Sequence, residues 1–273
     1  MVDWQWLAGL AAAMVFTGCV SGVLAGLLGV GGGIVIVPVL FYVLPLFDVP
    51  EATQMKVAVA TSLATIIPTS IVSARKHYQR GAMDIGLLRS LAPSIFVGVL
   101  IGTALAVAMR GPGLTLVFAV TALAVAVNMG VTSVDFRLRD SLPSGASRHF
   151  IGGGIGAVSA MMGIGGGTVG VPVLNMAGVP IRQAVATTSA FGLIISIPAT
   201  IGFIVAGIGA EGRPPYSLGW VNLIGFALIV PSSIVATPWG VRLAHTIPPL
   251  LLKRAFALFL AITSLRMLYT LIK

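Results

Sequence analysis

Two glycine clusters stand out for what they could bind: Gly29-Val-Gly-Gly-Gly33 and Gly163-Ile-Gly-Gly-Gly167. Each glycine weakens a helix by about 1 kcal/mol, so four within five positions favour an unwound backbone. Unwound glycines present N–H groups with no side chain in the way. The helix that resumes toward Pro38, or toward Pro172 in the second copy, turns its positive N-terminal end to the break. Together these features could hold a small anion. Near the start of the next apolar run in each case lie Thr61 and Ser62, and Thr187, Thr188 and Ser189. Their hydroxyls can donate to an anion, or can instead bond the backbone carbonyl four residues back. The substrate-binding candidates are Gly29, Gly31, Gly32, Gly33, Thr61, Ser62, Gly163, Gly165, Gly166, Gly167, Thr188 and Ser189. A different purpose, close helix packing, suits Gly18, Gly22, Gly26, Gly98, Gly102, Gly152 and Gly156.

Other chemistries find no support. Gly29-Val-Gly31 resembles part of a dinucleotide fingerprint, but the preceding strand and the later acidic residue that such a site needs are missing. His77, His149 and His245 are scattered without metal-ligand spacing, and Cys19 is alone, so neither a metal site nor an internal disulfide is expected. No Ser/His/Asp or paired-carboxylate arrangement falls within an apolar run. The expectation is a protein without enzymatic activity and without a cofactor.

The elements that must position these residues are read from composition. Hydrophobic residues make up 57% of the 273 and charged residues only 8%, against roughly 25% charged in a soluble domain. Apolar runs recur at 7–28, 29–47, 57–74, 90–109, 114–131, 149–178, 183–207, 219–239 and 250–272. Many approach the ~20 residues needed to cross ~30 Å of hydrocarbon. They are continuously apolar, which excludes a β-barrel. The start, Met1-Val-Asp-Trp-Gln-Trp, lacks the basic region of a signal peptide, so the first apolar run is expected to be retained. The formal net charge of +9 arises from short loops between runs, which reads as membrane topology rather than nucleic-acid binding. An all-α, multi-pass protein of the inner membrane is expected, with the lipid bilayer as a partner and a homo-oligomer compatible with the pattern.

The chain is also duplicated. Gly22 to Leu40 recurs as Gly156 to Leu174, with Gly29, Gly31, Gly32, Gly33 and Pro38 matching Gly163, Gly165, Gly166, Gly167 and Pro172. Ala60-Thr-Ser-Leu63 resembles Thr187-Thr-Ser-Ala190, Gly81-Ala-Met-Asp84 resembles Gly219-Trp-Val-Asn222, and Pro93-Ser94 resembles Pro231-Ser232. Residues 1–131 and 149–273 thus form two membrane repeats joined by a polar cytoplasmic linker, 132–148. If each glycine motif is a broken helix or hairpin that enters and leaves on one side, three spans follow in each half, giving about eight membrane segments and inverted repeats. The basic loops then divide 11 to 5, with 75–89, 132–148 and 240–253 cytoplasmic and both termini periplasmic. Cysteines placed at Ser144 and Gly212 are expected to label from opposite sides. From His149 to Gly163 is only about 22 Å of helix, which favours a break near the midplane with short helices on either side.

All seven acidic residues, Asp3, Asp48, Glu51, Asp84, Asp135, Asp140 and Glu211, lie outside the middle of these runs. Carriers coupled to protons or sodium commonly hold a carboxylate inside the membrane. Its absence predicts anion movement driven by membrane potential.

The paired glycine motifs, the Ala-Thr-Ser and Thr-Thr-Ser segments, Tyr78-Gln-Arg-Gly-Ala-Met-Asp84, Gly219-Trp-Val-Asn222 and Gly240-Val-Arg-Leu-Ala244 resemble the TauE/SafE sulfite exporter family over about 15–270. The resemblance implies a transporter of sulfite, sulfonates or other small organic anions, usually outward, with the glycine clusters and Thr/Ser pairs as the site. Import of a similar anion, and a membrane subunit or receptor without transport, are the alternatives.

Overall fold

The computed structural model describes residues 4–28, 31–131, 142–243 and 249–272, and it is mostly helical. In chain order the helices are α1 (Trp4–Leu28), α2 (Gly33–Val43), α3 (Glu51–Gln79), α4 (Ile85–Ala108), α5 (Gly111–Val131), α6 (Ala146–Met162), α7 (Gly167–Met176), α8 (Ile181–Gly207), α9 (Leu223–Leu243) and α10 (Pro249–Ile272). A short 3-10 turn, Leu44–Phe47, follows α2. Pro50 and Pro180 sit at the N-caps of α3 and α8, where a missing N–H breaks no helical hydrogen bond. Glu51 in the first turn of α3, with Lys76 and His77 in its last, match the helix dipole.

Five described helices, α3, α4, α5, α8 and α9, are long and apolar enough to cross a membrane, and shorter apolar helices accompany them. The most apolar stretch of α3 is 78% buried, against 39% for α4, α5 and α9 and 44% for α8. α3 is therefore the central helix, and the others leave much of their surface for lipid. The apolar run at 219–239 begins differently from a simple span. Strands β1 (Ser217–Leu218) and β2 (Val221–Asn222) pair antiparallel, Ser217 opposite Asn222, and α9 starts only at Leu223. Gly219 (φ +56°) makes the turn and lies on the Ile204 carbonyl, where a Cβ could not fit.

The packing glycines join helices from different halves of the chain. On α1, Gly18 lies against Ile229 and Ser232, Gly22 against Ser233, and Gly26 against Thr237 and Val241, all on α9. On α4, Gly98 and Gly102 lie against Gly153 and Ala157 of α6, while Gly152 and Gly156 of α6 return the contact to Ser94 and Ile95. Small residues at this spacing let backbones approach closely, which is how helices associate where lipid supplies no hydrophobic drive. Gly22→Leu would drive a side chain into the Ser233 carbonyl. We expect it to cost roughly 1–3 kcal/mol or more, read as a lower melting temperature of the detergent-solubilised protein. Gly154, with open space around its Cβ position, is the control.

The same contacts fix the helix directions. α1 and α9 run the same way, as do α4 and α6, because contacting positions rise together along both chains. The N–H of Asn222 donates to Thr61 Oγ1 and Arg80 Nη1 donates to the Val241 carbonyl, so α3 runs with α9. Gln183 Nε2 donates to Asp84 Oδ2 while Gly202 meets Thr103, so α4 runs with α8. Lys56 Nζ at the start of α3 donates to the Val107 carbonyl at the end of α4, which sets those two helices opposed. Gly111 at the start of α5 lies against Ala52, and Gly130 near its end faces Ala257 early in α10. Hence α1, α3, α5 and α9 run one way, and α4, α6, α8 and α10 the other.

Candidate functional site

The two glycine breaks meet. Gly29 lies outside the described residues, but Gly31 to Gly33 and Gly163 to Gly167 are all buried. A Cβ built on Gly31 would stand 3.4 Å from Cα of Gly165. One built on Gly33 would strike the Gly163 carbonyl and lie 2.7 Å from Ser62 Oγ. Ser62 Oγ donates to that carbonyl at 2.6 Å, and Thr69 Oγ1 reaches the Gly31 carbonyl at 3.4 Å. Inside a membrane every exposed backbone group needs such a partner.

The clusters share a sequence but not a backbone. Gly31 (φ +71°) and Gly32 (φ +77°) both take the left-handed conformation just before α2. In the second copy the left-handed residue is Gly163 (φ +67°), which ends α6 with its N–H on the Ala160 carbonyl. Gly166 then enters α7 in the right-handed region.

α2 leaves the junction toward the start of α3. Gly33 lies beside Ser62, and Asp48 and Val49, just after the 3-10 turn, lead directly into α3. α7 leaves toward the start of α8, with Gly166 beside Phe191 and Ile195 and Gly170 beside Thr188. Since α3 and α8 are opposed, the positive N-terminal ends of α2 and α7 converge on one spot. Both N-caps, Gly32 and Gly166, are glycines, so no N-cap side-chain oxygen accepts from the first N–H groups of either helix. Two like-signed ends meeting in a buried place raise the local potential and favour a negative occupant.

The short-helix expectation holds unevenly. α2 and α7 have 11 and 10 residues, about 16 and 15 Å. α1 has 25 residues, about 37 Å, enough for a full crossing. Its last turn passes the break: Ser73 Oγ donates to the Ala25 carbonyl at 3.3 Å, and His77 Nε2 lies 3.2 Å from the Gly26 carbonyl. These α3 side chains satisfy carbonyls that a helix end leaves without partners. The chain then doubles back, so that Gly31 lies beside Ile66.

The hydroxyl candidates divide. Ser62 belongs to the junction. Thr61 Oγ1 accepts from the Asn222 N–H at 2.9 Å, tying α3 to the start of α9. Thr188 donates to the Val185 carbonyl and Ser189 to the Ala186 carbonyl, as membrane-helix hydroxyls commonly do. Thr187 accepts from the Asp84 N–H at 3.0 Å, and Asp84 and Asn222 each cap the helix that follows, α4 and α9. Thr61 and Thr187 therefore occupy matching posts. The repeat register at this point is one residue away from the sequence pairing of Thr61 with Thr188. In the corrected register, Ala58-Val-Ala-Thr61 is identical to Ala184-Val-Ala-Thr187.

Two residues at the junction were not singled out from sequence. Ser21 Oγ stands where a Cβ of Gly32 would be, with the serine fully buried and the hydroxyl without a hydrogen-bond partner. Thr168, in the first turn of α7, is 2% exposed and its hydroxyl is likewise unpartnered. Each is a lone hydroxyl in an apolar stretch beside glycines, a signal that marks the residue without showing which way it faces.

The fold and site define a multi-pass α-helical membrane protein whose central junction is built from backbone and hydroxyls. The family described as sulfite exporter TauE/SafE matches residues 2–267. A probable membrane transporter protein of Haemophilus influenzae is 35% identical over 253 residues, covering 93% of this chain and 96% of its own. Another, from Methanocaldococcus jannaschii, is 29% identical over 266 residues, covering 95% and 96%. No solved structure gives a significant match. The chain belongs to the TauE/SafE sulfite exporter family, a family of membrane transporters.

Proposed function

We propose that this protein exports small sulfur-containing or organic anions, sulfite- or sulfonate-like, across the inner membrane through the junction of its two glycine breaks. The observation that carries the reading is the convergence of two uncapped helix N-termini, from α2 and α7, on one buried spot. Such ends bind anions without any basic side chain. The residues that hold the substrate are Gly31, Gly32, Gly33, Ser62, Gly163, Gly165, Gly166 and Gly167, with Gly29 completing the first cluster. Thr61, Thr188 and Ser189 support it from α3 and α8.

The carrier consists of two inverted repeats, 1–131 and 149–273, joined by a cytoplasmic linker at 132–148. This is supported by the helix directions: α1, α3, α4 and α5 are each opposed to their sequence counterparts α6, α8, α9 and α10. Duplicated transporters place substrate sites between such repeats. Arg75, Lys76, Arg80, Arg89, Arg148, Arg182, Arg242 and Arg254 collect at the face where α3 ends, and Lys56, Arg110, Arg213 and Arg266 at the other. The first face is the cytoplasmic one by the positive-inside rule.

Efflux of labelled sulfite from proteoliposomes is the decisive measurement. No protein-dependent flux would leave a non-transporting subunit or receptor. Accumulation rather than release in intact cells would make the protein an importer. Topology is checked separately with single cysteines in a Cys19→Ala background, since Cys19 is exposed. Glu211 is a better periplasmic position than Gly212, which holds φ +74° against Thr53. Ser144→Cys and Glu211→Cys should react with impermeant maleimide from opposite sides of the membrane. Reaction from one side only would reject the inverted arrangement.

A further inference from the structure

We propose that Thr61 and Thr187 are paired gating residues: their hydrogen bonds close the periplasmic and the cytoplasmic side of the glycine junction, and break alternately during transport. The inference rests on the inverted-repeat carrier described above and adds the contacts that move. Ala58-Val-Ala-Thr61 is identical to Ala184-Val-Ala-Thr187, and the same register carries Ile66 of α3 onto Gly192 of α8. These two residues touch, with Ile66 Cγ2 3.7 Å from a Cβ built on Gly192. The centre of the repeat therefore lies at their contact. Gly31 packs on the same Ile66, and Gly166 on Phe191 beside Gly192, so the glycine breaks lie at that centre too. Thr61 and Thr187 each stand five residues before it on opposed helices, about 7.5 Å to either side.

Both threonines are fully buried. Thr61 Oγ1 accepts from the Asn222 N–H at 2.9 Å, and Thr187 Oγ1 from the Asp84 N–H at 3.0 Å. Each bond joins one repeat to the other, at the residue that caps α9 or α4. A single neutral hydrogen bond contributes little net stability, so it can break and reform. The far end of each helix pair is held separately. Arg80 Nη1 donates to the Val241 carbonyl at 2.9 Å, and Thr103 packs on Gly202. Loss of the Thr61 bond thus lets α9 swing about its cytoplasmic end, and loss of the Thr187 bond lets α4 swing about its periplasmic end. The cytoplasmic latch has one further bond: Gln183 Nε2 donates to Asp84 Oδ2 at 3.0 Å. In the first repeat that post is Val57, which has no side-chain donor.

The test places a reporter at the junction, Ser21→Cys in the Cys19→Ala protein, where the serine is fully buried beside Gly32. Right-side-out and inside-out membrane vesicles are treated with an impermeant, sulfonate-bearing methanethiosulfonate. Thr61→Val should raise labelling several-fold from the periplasmic side only, and Thr187→Val from the cytoplasmic side only. Thr61→Ser and Thr187→Ser keep the hydroxyl and should label like the parent. Gln183→Leu leaves Thr187 in place, should raise cytoplasmic labelling, and decides the matter where a valine variant does not insert. Labelling from the same side in both valine variants, or unchanged labelling in every variant that inserts, would overturn the proposal and make the two bonds ordinary packing contacts. The readout needs no flux. A protein that moves no anion but labels with this sidedness would fail the transport reading and keep the gates.

Discussion

Gly32→Leu and Gly166→Leu are each expected to reduce anion flux to near background while the protein still inserts. The two fail for different reasons. Gly32 holds φ +77°, and its Cβ would fall on Ser21 Oγ. Leucine there carries a backbone strain of roughly 1–3 kcal/mol and fills the space beside the α2 N-terminus. Gly166 is at φ −58°, so leucine is unstrained in the backbone but drives into Phe191 and Ile195. A barrier raised by about 2.7 kcal/mol lowers a rate about 100-fold. Flux per inserted molecule, normalised to surface-labelled protein, is the quantity to compare. Ser21→Ala should relieve Gly32→Ala only in part, because it removes the Oγ that the methyl would strike but leaves the Ser21 backbone carbonyl 2.6 Å away. Near-normal transport by both leucine variants would reduce the clusters to packing glycines.

The second large effect is the response to voltage. Among the described residues, the acidic side chains stand at helix starts or in connections: Asp48 after the 3-10 turn, Glu51 in the first turn of α3, Asp84 capping α4, and Glu211 between α8 and β1. Asp3, Asp135 and Asp140 lie outside the described residues. A monoanion leaving a cell that is negative inside gains about 2.3 kcal/mol per 100 mV. At 1.4 kcal/mol per factor of ten, that sustains roughly a 50-fold outward gradient. Sulfonate efflux should therefore rise with an inside-negative potential imposed by potassium and valinomycin, with one charge moved per molecule. Flux that ignores voltage but collapses with a pH gradient would show proton coupling instead.

The amino-acid sequence by itself determined the class, the duplication and the identity of the unusual backbone. Apolar runs near membrane length leave few alternatives, because lipid admits few structures. The match of Gly29 to Gly33 with Gly163 to Gly167 needs no coordinates to be seen. The glycine faces of α1, α4 and α6 were also legible as packing surfaces from their four-residue spacing. Their partners were not, since helix α1 packs on α9 and α4 on α6, across the two halves of the chain.

What only the tertiary structure decided depends on direction and distance between segments remote in sequence. Ser62 and Gly163 are 101 positions apart, and one hydrogen bond joins them. Thr61, equally prominent in sequence, turns instead to Asn222, because on a helix neighbouring residues point about 100° apart. The same geometry brings Ser21 to the break while Ser189 bonds its own helix. The length of α1, which passes the break before the chain returns, followed from α3 supplying Ser73 and His77 to its last carbonyls. Local composition could not show this, since whether a buried helix end is tolerable depends on which side chains another helix brings to it.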